Sequence, residues 1–179
     1  MNRDIKNIGI IGAGIMGTGI VQIAIQSQHH VYLYDAQQGA AQKAQSKLQD
    51  TFNTLLQKNK ISQTQLDEAL AYLHIVENIE GLQQCDLIIE AIVEKLAVKQ
   101  ALMKQLEAMV NPQTILASNT SSLSITAIAS ECQYPERVAG YHFFNPVPLM
   151  KVVEVIQGLH THPEILEKLA DLAQKMGHR

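Results

Sequence analysis

The sequence has no tryptophan, three phenylalanines, five tyrosines and only two cysteines in 179 residues. Cys85 and Cys132 are too few for a disulfide framework and match no metal-ligand spacing. Reduced thiols in a cytoplasmic protein are therefore expected, packing as small apolar side chains, with no metal centre. An excess of one charge is lacking too. Lys and Arg number 14 against 17 Asp and Glu, and their even spread for a net charge of −3 leaves no basic stripe for a nucleic-acid partner. Long unbroken apolar runs are also missing. The nearly charge-free stretch from Ile8 to Ile25 follows Arg3 and Lys6 as a leader peptide would. Five glycines interrupt it, Asp4 stands between the basic residues, and no small-residue cleavage pattern precedes QSQHH. No other stretch approaches the length of a membrane span, so neither a leader nor a membrane role is expected. Without repeats, linkers or low-complexity tracts, a chain that is 46% hydrophobic reads as one domain with a sizeable core.

What is present is an alternation of two periodicities. Asn7 to Ile11 is a short β-type run that ends at a glycine, and from Gly14 onward Ile15, Met16, Ile20, Ile23 and Ala24 recur at helical spacing. His30 to Tyr34 is a second β-type run, ended by Asp35, and completes a βαβ unit of about thirty residues. Residues 37–59 and 62–73, rich in Gln, Ala, Lys and Leu, predict two helices joined around Asn59 to Ser62. Strands follow at 74–76 and 86–91, a helix at 94–110 stopped before Pro112, a strand at 114–118 and a short helix at 124–130. Two further strands, 138–144 and 152–156, precede a closing helix at 161–176. Thr161 and Glu164 stand in capping-box spacing for that helix, with Pro163 in its first turn. The expected fold is α/β: a Rossmann-type doubly wound, mostly parallel sheet with helices on both faces and an inserted helical pair after the second strand.

Gly12, Gly14 and Gly17 stand in GxGxxG spacing within GIIGAGIMGTG. The spacing alone is weak, but its place between a strand and a helix gives each glycine a task. The first allows a tight turn, the second lets the backbone approach a pyrophosphate, and the third lets helix pack close on strand, with free N–H groups facing the anion. Asp35, eighteen positions after Gly17 at the end of the next strand, is placed to accept hydrogen bonds from a ribose diol. An acid there repels a 2′-phosphate, which favours NAD over NADP. A glycine turn that only packs, with Asp35 as a helix cap, is the competing reading. The ordered run of strand, glycines, helix, strand and acid weighs against it. Ligand groups also lie at the C-terminal ends of later strands, which draws in Ile92, Val93 and Glu94 after one strand and Ser118 to Ser122 after another. On residues alone, Glu94 reads first as an acid at a helix N-terminus.

The segment YHFFNPVPLMKVVEVI, residues 141–156, carries a histidine and a glutamate on two strand-like runs. Its connection, NPVPLM, is too apolar for an exposed turn and is expected to be covered by protein or ligand. If the strands are antiparallel about Pro148, His142 and Glu154 lie six residues to either side and face one another. A carboxylate beside an imidazole fixes its tautomer and raises its basicity, which suits a general base taking a proton from an alcohol as hydride leaves the same carbon. A purely structural His–Glu bond is the alternative for such a pair in isolation; the nicotinamide site that precedes it tips the balance. Ser121 and Ser122 could bond a substrate oxygen, with Ser122 or Thr120 capping the helix at 124–130.

These blocks together resemble the short-chain L-3-hydroxyacyl-CoA dehydrogenases. The similarity rests on GIIGAGIMGTGI with Asp35, EAIVEKLAVK at 90–99, SNTSSLSIT at 118–126 and HFFNPVPLMKVVEVI at 142–156, and spans nearly the whole chain. The resemblance implies His142 as catalytic base, Glu154 as its orienting partner and Ser121 as a hydroxyl shared by substrate and nicotinamide. It implies that Gly12, Gly14, Ile15, Met16, Gly17, Asp35, Ile92, Val93, Glu94, Lys99, Ser121 and Asn145 line NAD. Asn145 would also meet the acyl-CoA substrate, and the helical pair would take the coenzyme A moiety through Thr51 and Lys58. Members of this family continue into a further strand and an all-helical domain that completes the substrate cleft and forms a homodimer. Residues 1–179 therefore resemble the NAD-binding domain alone. On that basis one sheet edge and the surface around Pro146, Val147, Pro148, Leu149 and Met150 are expected to be bare. A non-catalytic NAD(H)-binding module is the alternative to an enzyme.

Overall fold

In the computed structural model, which describes residues 4–179, β1 (Asn7–Ile11) feeds α1 (Ile15–Gln26) and the chain returns as β2 (His30–Tyr34). Arg3, noted above as one of the basic residues before the apolar segment, lies outside the described residues. The inserted pair is α2 (Ala40–Gln57) and α3 (Gln63–Ala71); Ser62 and Gln65 close a reciprocal capping box on α3. There follow β3 (Leu73–Ile75), β4 (Leu87–Glu90), α4 (Leu96–Met109), β5 (Ile115–Ser118), the short α5 (Ile125–Ile128), β6 (Val138–Phe143), β7 (Val153–Ile156) and α6 (Pro163–Lys175).

All seven strands join one sheet in the order β3-β2-β1-β4-β5-β6-β7. Every pairing is parallel except β6 with β7. The expected doubly wound α/β sheet is thus present, and its winding reverses between β1 and β4. At that reversal the crossovers diverge to opposite faces and leave a crevice at the C-terminal strand ends.

Period-two alternation divides the core into two layers, because successive side chains of a strand point to opposite faces. Ile8, Ile10, Leu87 and Ile89 pack on one side with Ile20, Phe52, Leu66 and Leu169 from α1, α2, α3 and α6. Ile11, Ile88 and Leu116 pack on the other with Met103, Leu106 and Ile128 from α4 and α5. The Tyr141 hydroxyl donates to the Leu169 carbonyl at 3.0 Å and pins α6 to its layer. Among the described residues, no helix is long and apolar enough to cross a membrane, and no group of three or more His, Cys, Asp and Glu could hold a metal ion.

Two helix caps differ from expectation. The capping box assigned to Thr161 and Glu164 is absent: the N-cap of α6 is His162, whose ring nitrogen accepts from the Glu164 N–H. Pro163 is the first helical residue and has no N–H to offer, which moves the cap one position along. The buried Thr161 hydroxyl instead donates to the Val138 carbonyl and accepts from the Gly158 N–H. Neither Ser122 nor Thr120 caps α5; Ser124 does, accepting from the Ala127 N–H.

The apolar connection is only partly bare. Val147 is buried against α1, where a Cβ on Gly19 would stand 2.8 Å from its own Cβ, and the His178 ring contacts the Val147 carbonyl at 3.1 Å. Leu149, at 75% exposure, and Met150 do face outward. The outer edge of β7 is met only at its start, where Arg179 donates to the Lys151 carbonyl and accepts from the Val153 N–H; β7 remains the terminal strand of the sheet.

Candidate active site

The glycine loop satisfies the demands made of it at three positions. Gly12 has φ of +107°, and a Cβ there would lie 2.5 Å from the Ala91 carbonyl oxygen, so the turn needs glycine for both torsion and space. A Cβ on Gly17 would meet the Gly12 oxygen at 1.8 Å, which makes the close approach of α1 to β1 specific to glycine. At Gly14 an added Cβ would meet nothing within 4 Å, so this face of the loop opens on the crevice. Gly14 is the N-cap of α1, has no side-chain cap, and no acid lies in the first turn. The N-terminal N–H groups of a twelve-residue helix are therefore free for an anion.

Asp35 follows β2 beside this loop. Its Oδ2 accepts from the Ala13 N–H at 2.7 Å and its Oδ1 from the Gln37 N–H at 2.8 Å, so it is not a helix cap. Each carboxylate oxygen keeps acceptor capacity for a diol. Beyond it lies a cavity of about 350 Å³ lined by Tyr34, Asp35, Val76 and Asn78, which suits an adenosine moiety. On the other side of the loop, a larger cleft of about 590 Å³ runs between Gly14, Ile15, Lys43, Lys47 and Asn145 to Pro148. Thr51 and Lys58 do not line that cleft. Both are exposed on the far part of α2, and the Thr51 hydroxyl bonds its own helix at the Lys47 carbonyl. Ile15 projects into solvent at the loop and Met16 is half-buried.

The expected pair at the antiparallel strands is formed. His142 stands opposite Glu154 in the β6–β7 register, and its Nδ1 lies 3.0 Å from Glu154 Oε2. The carboxylate accepts a hydrogen bond from Nδ1–H, the tautomer that leaves the lone pair on Nε2. The imidazole is 15% exposed and packs on the Phe144 ring. Ser121 is exposed on the loop after β5, and Asn119 from that loop accepts the Phe143 N–H at 2.8 Å, tying it to the strand that carries His142. Ile92 and Val93 lie on the loop after β4, with Val93 exposed.

Glu94 and Lys99 belong to a cluster that reaches further than expected. Glu94 precedes α4 rather than sitting in its first turn, which removes the helix-terminus reading. Lys99, expected along the cofactor, is only 1% exposed and does not reach the crevice surface; its Nζ donates to both Glu90 oxygens at 2.8 Å and lies 3.3 Å from Glu94. Glu90, fully buried at the end of β4, also accepts from the Ser118 hydroxyl and the Ile92 N–H. The Thr120 hydroxyl donates to Glu94 and accepts from the Leu123 N–H. Burial raises the Glu90 carboxyl above the usual range against the pull of Lys99. At Glu94 desolvation also pushes upward, yet the Thr120 bond and the Lys99 charge prevail and its carboxyl lies below the usual range. Sequence reasoning left Glu90 without a role, read Thr120 only as a possible helix cap, and placed Ser118 and Asn119 in a ligand-facing loop without seeing their bonds to Glu90 and Phe143. The one visible signal was a charged residue closing the apolar strand LIIE.

An uncapped helix above a glycine cradle, a carboxylate at the next strand end and an imidazole–carboxylate pair across the crevice define a dinucleotide-binding domain of the kind that serves nicotinamide-linked oxidoreductases. The comparisons place it more closely. Residues 7–179 match the family model described as "3-hydroxyacyl-CoA dehydrogenase, NAD binding domain". The chain is 43% identical to 3-hydroxyadipyl-CoA dehydrogenase of Escherichia coli (strain K12) over 99% of its own length and 37% of that protein's. It is 42% identical to the probable 3-hydroxybutyryl-CoA dehydrogenase of Bacillus subtilis (strain 168), over 97% of itself and 61% of the relative. The crystal structure of 3-hydroxybutyryl-CoA dehydrogenase from Escherichia coli K12 superposes with a TM-score of 0.97 at 42% identity, over 99% of this chain and 38% of that one. The chain belongs to the 3-hydroxyacyl-CoA dehydrogenase family, as its NAD-binding domain. It spans between about a third and three-fifths of the curated relatives named here.

Proposed function

We propose that this domain works within an NAD-dependent dehydrogenase that interconverts L-3-hydroxyacyl-CoA and 3-ketoacyl-CoA. The observation that carries the reading is the His142–Glu154 pair, held in register across β6 and β7 at the crevice of an NAD-binding domain. When bound, NAD supplies the hydride acceptor. Free N–H groups at Gly14 and the start of α1 hold the pyrophosphate, and Asp35 takes the ribose diol. His142 Nε2 removes the hydroxyl proton of the alcohol as its C–H bond breaks, and Glu154 stabilises the resulting imidazolium. In the reverse direction the same nitrogen returns the proton. Ser121 and Asn145 orient the substrate oxygen, and Lys43 and Lys47 on the wall of the larger cleft face the anionic coenzyme A chain. Thr51 and Lys58 extend the same side of α2 toward solvent. The catalytic unit is this domain together with the further length that the relatives carry, through which we expect two copies to pair. A cytoplasmic setting fits two free thiols, one of them buried.

The test is NADH consumption on addition of acetoacetyl-CoA to the full-length protein, beside NADH binding followed by fluorescence. Consumption supports the reading; binding without consumption reduces the protein to an NAD(H)-binding module. Asp35→Ala probes the cofactor half separately. Losing a charged acceptor costs about 1.5–3 kcal/mol, so NADH affinity is expected to fall roughly tenfold to a hundredfold. NADPH affinity should fall less or rise, because the repulsive charge is gone. Equal retention of both affinities in titrations of the two cofactors contradicts the ribose assignment.

A further inference from the structure

The ion cluster at the ends of β4 and β5 has two carboxylates for one ammonium. Lys99 meets both oxygens of Glu90 at 2.8 Å, closer than its 3.3 Å approach to Glu94, and neither Lys99 nor Glu90 is exposed. Glu94, whose side chain is 39% exposed, is the member that reaches the surface, just past the C-terminal end of β4. Its partners place it there: Thr120, on the same loop as Ser121, bonds its carboxylate, and Asn119 of that loop is fastened to the neighbour of His142. A buried ion pair contributes little net stability, because desolvating two charges offsets most of their attraction. As a brace between β4 and α4, Glu90 and Lys99 would suffice alone. A third ionised group beside them leaves the cluster with one excess negative charge, carried by Glu94 at the solvent-facing side, where water screens it in part.

We infer that Glu90 is a positioning residue that occupies Lys99 and so leaves Glu94 uncompensated, and that this excess charge makes the domain favour the cationic, oxidised nicotinamide over the neutral, reduced one. The inference rests on the NAD site proposed above and adds a task for a residue that cannot itself touch the cofactor. Glu90→Gln removes one carboxylate without changing shape. Lys99 is then free to neutralise Glu94, and the preference for NAD⁺ over NADH falls. One unit charge at the edge of the crevice corresponds to about a tenfold change in the ratio of the two affinities. Glu94→Gln shifts the ratio the same way. The double variant Glu90→Gln, Lys99→Met deletes the internal pair, leaves Glu94 charged, and returns the ratio close to wild type.

The experiment is titration of the chain and the three variants with NAD⁺ and with NADH separately, by calorimetry, with a thermal melt of each protein. A merely structural cluster would weaken both cofactors alike in Glu90→Gln, and the double variant would be no better than the single one. The expected result is a shifted ratio in Glu90→Gln and in Glu94→Gln, with recovery in the double variant. An unchanged ratio in Glu90→Gln, or no recovery when Lys99 is also removed, overturns the inference while leaving the NAD site standing. If Glu90→Gln does not fold, the comparison of wild type, Glu94→Gln and the double variant decides in its place. Failure of the wild-type chain to bind either form overturns the NAD site as well.

Discussion

Replacing His142 by glutamine in the full-length protein is expected to lower turnover by about a hundred- to ten-thousand-fold, the range that a positioned general base contributes. NADH affinity should stay within about twofold, because no free N–H of the glycine loop and no acceptor at Asp35 is altered. The two effects separate because the groups stand on different elements: His142 on β6, the cofactor's proposed anchors on α1 and β2. Glutamine keeps a donor for Glu154 and much of the packing on Phe144, so the loss reports the missing base rather than a collapsed site. Rapid acetoacetyl-CoA reduction by the variant at neutral pH would remove His142 from its role. Strong loss of NADH binding would mean instead that β6 and the cofactor crevice are coupled more tightly than their hydrogen bonds imply.

Gly17→Ala should have the next largest effect, and Gly14→Ala is its control. At Gly17 the added methyl would meet the Gly12 oxygen at 1.8 Å and its carbon at 2.9 Å. Both are backbone atoms, so relief requires α1 to move away from β1. Overpacking of this kind costs about 1–3 kcal/mol, and for a chain of this size each kcal/mol lowers Tm by about 2–4 °C. A fall of roughly 2–12 °C is therefore expected, with more than a hundredfold loss of NADH affinity as the N–H groups lose their aim. At Gly14 the φ of −74° accommodates alanine and nothing lies within 4 Å, so Tm should change by less than about 2 °C. Its effect should fall on the cofactor alone, since the methyl points where a pyrophosphate would approach. Melting curves and NADH titrations of both variants check this, and equal behaviour of the two would contradict the distinct tasks assigned to the glycines.

Much of this arrangement was legible in the chain before its structure. The βαβ unit could be read because glycines, periodicity and Asp35 are all local signals within about thirty residues. The His142–Glu154 register was legible because a hairpin-like connection fixes which residues face one another once its midpoint is placed. Lys99 was not legible as a buried residue. In the sequence it is one of several polar positions along an amphipathic helix, and only the fold brings it over the end of β4, nine residues earlier in the chain. Glu90 was hidden for a related reason. Its neighbours Leu87, Ile88 and Ile89 mark a strand buried on both faces, and nothing local says whether its final residue meets solvent or an ammonium. The cap of α6 was misplaced by one residue because Thr161 satisfies the spacing of a capping box, while its hydroxyl is drawn inward by the Val138 carbonyl. Val147 was misread as bare because its cover comes from Gly19, more than a hundred residues away in sequence.

Whether this crevice passes a hydride to the third carbon of an acyl thioester is tested most directly by isotope transfer. Full-length protein should be mixed, in a single turnover, with acetoacetyl-CoA and NADH carrying deuterium at the transferable position of the nicotinamide ring, and the thioester product examined by mass spectrometry and for configuration. The predicted result is deuterium at C3 of L-3-hydroxybutyryl-CoA, formed in proportion to the NADH consumed and nearly abolished by His142→Gln. Tight NADH binding with no label in the thioester would contradict it, as would label in a product of the opposite configuration.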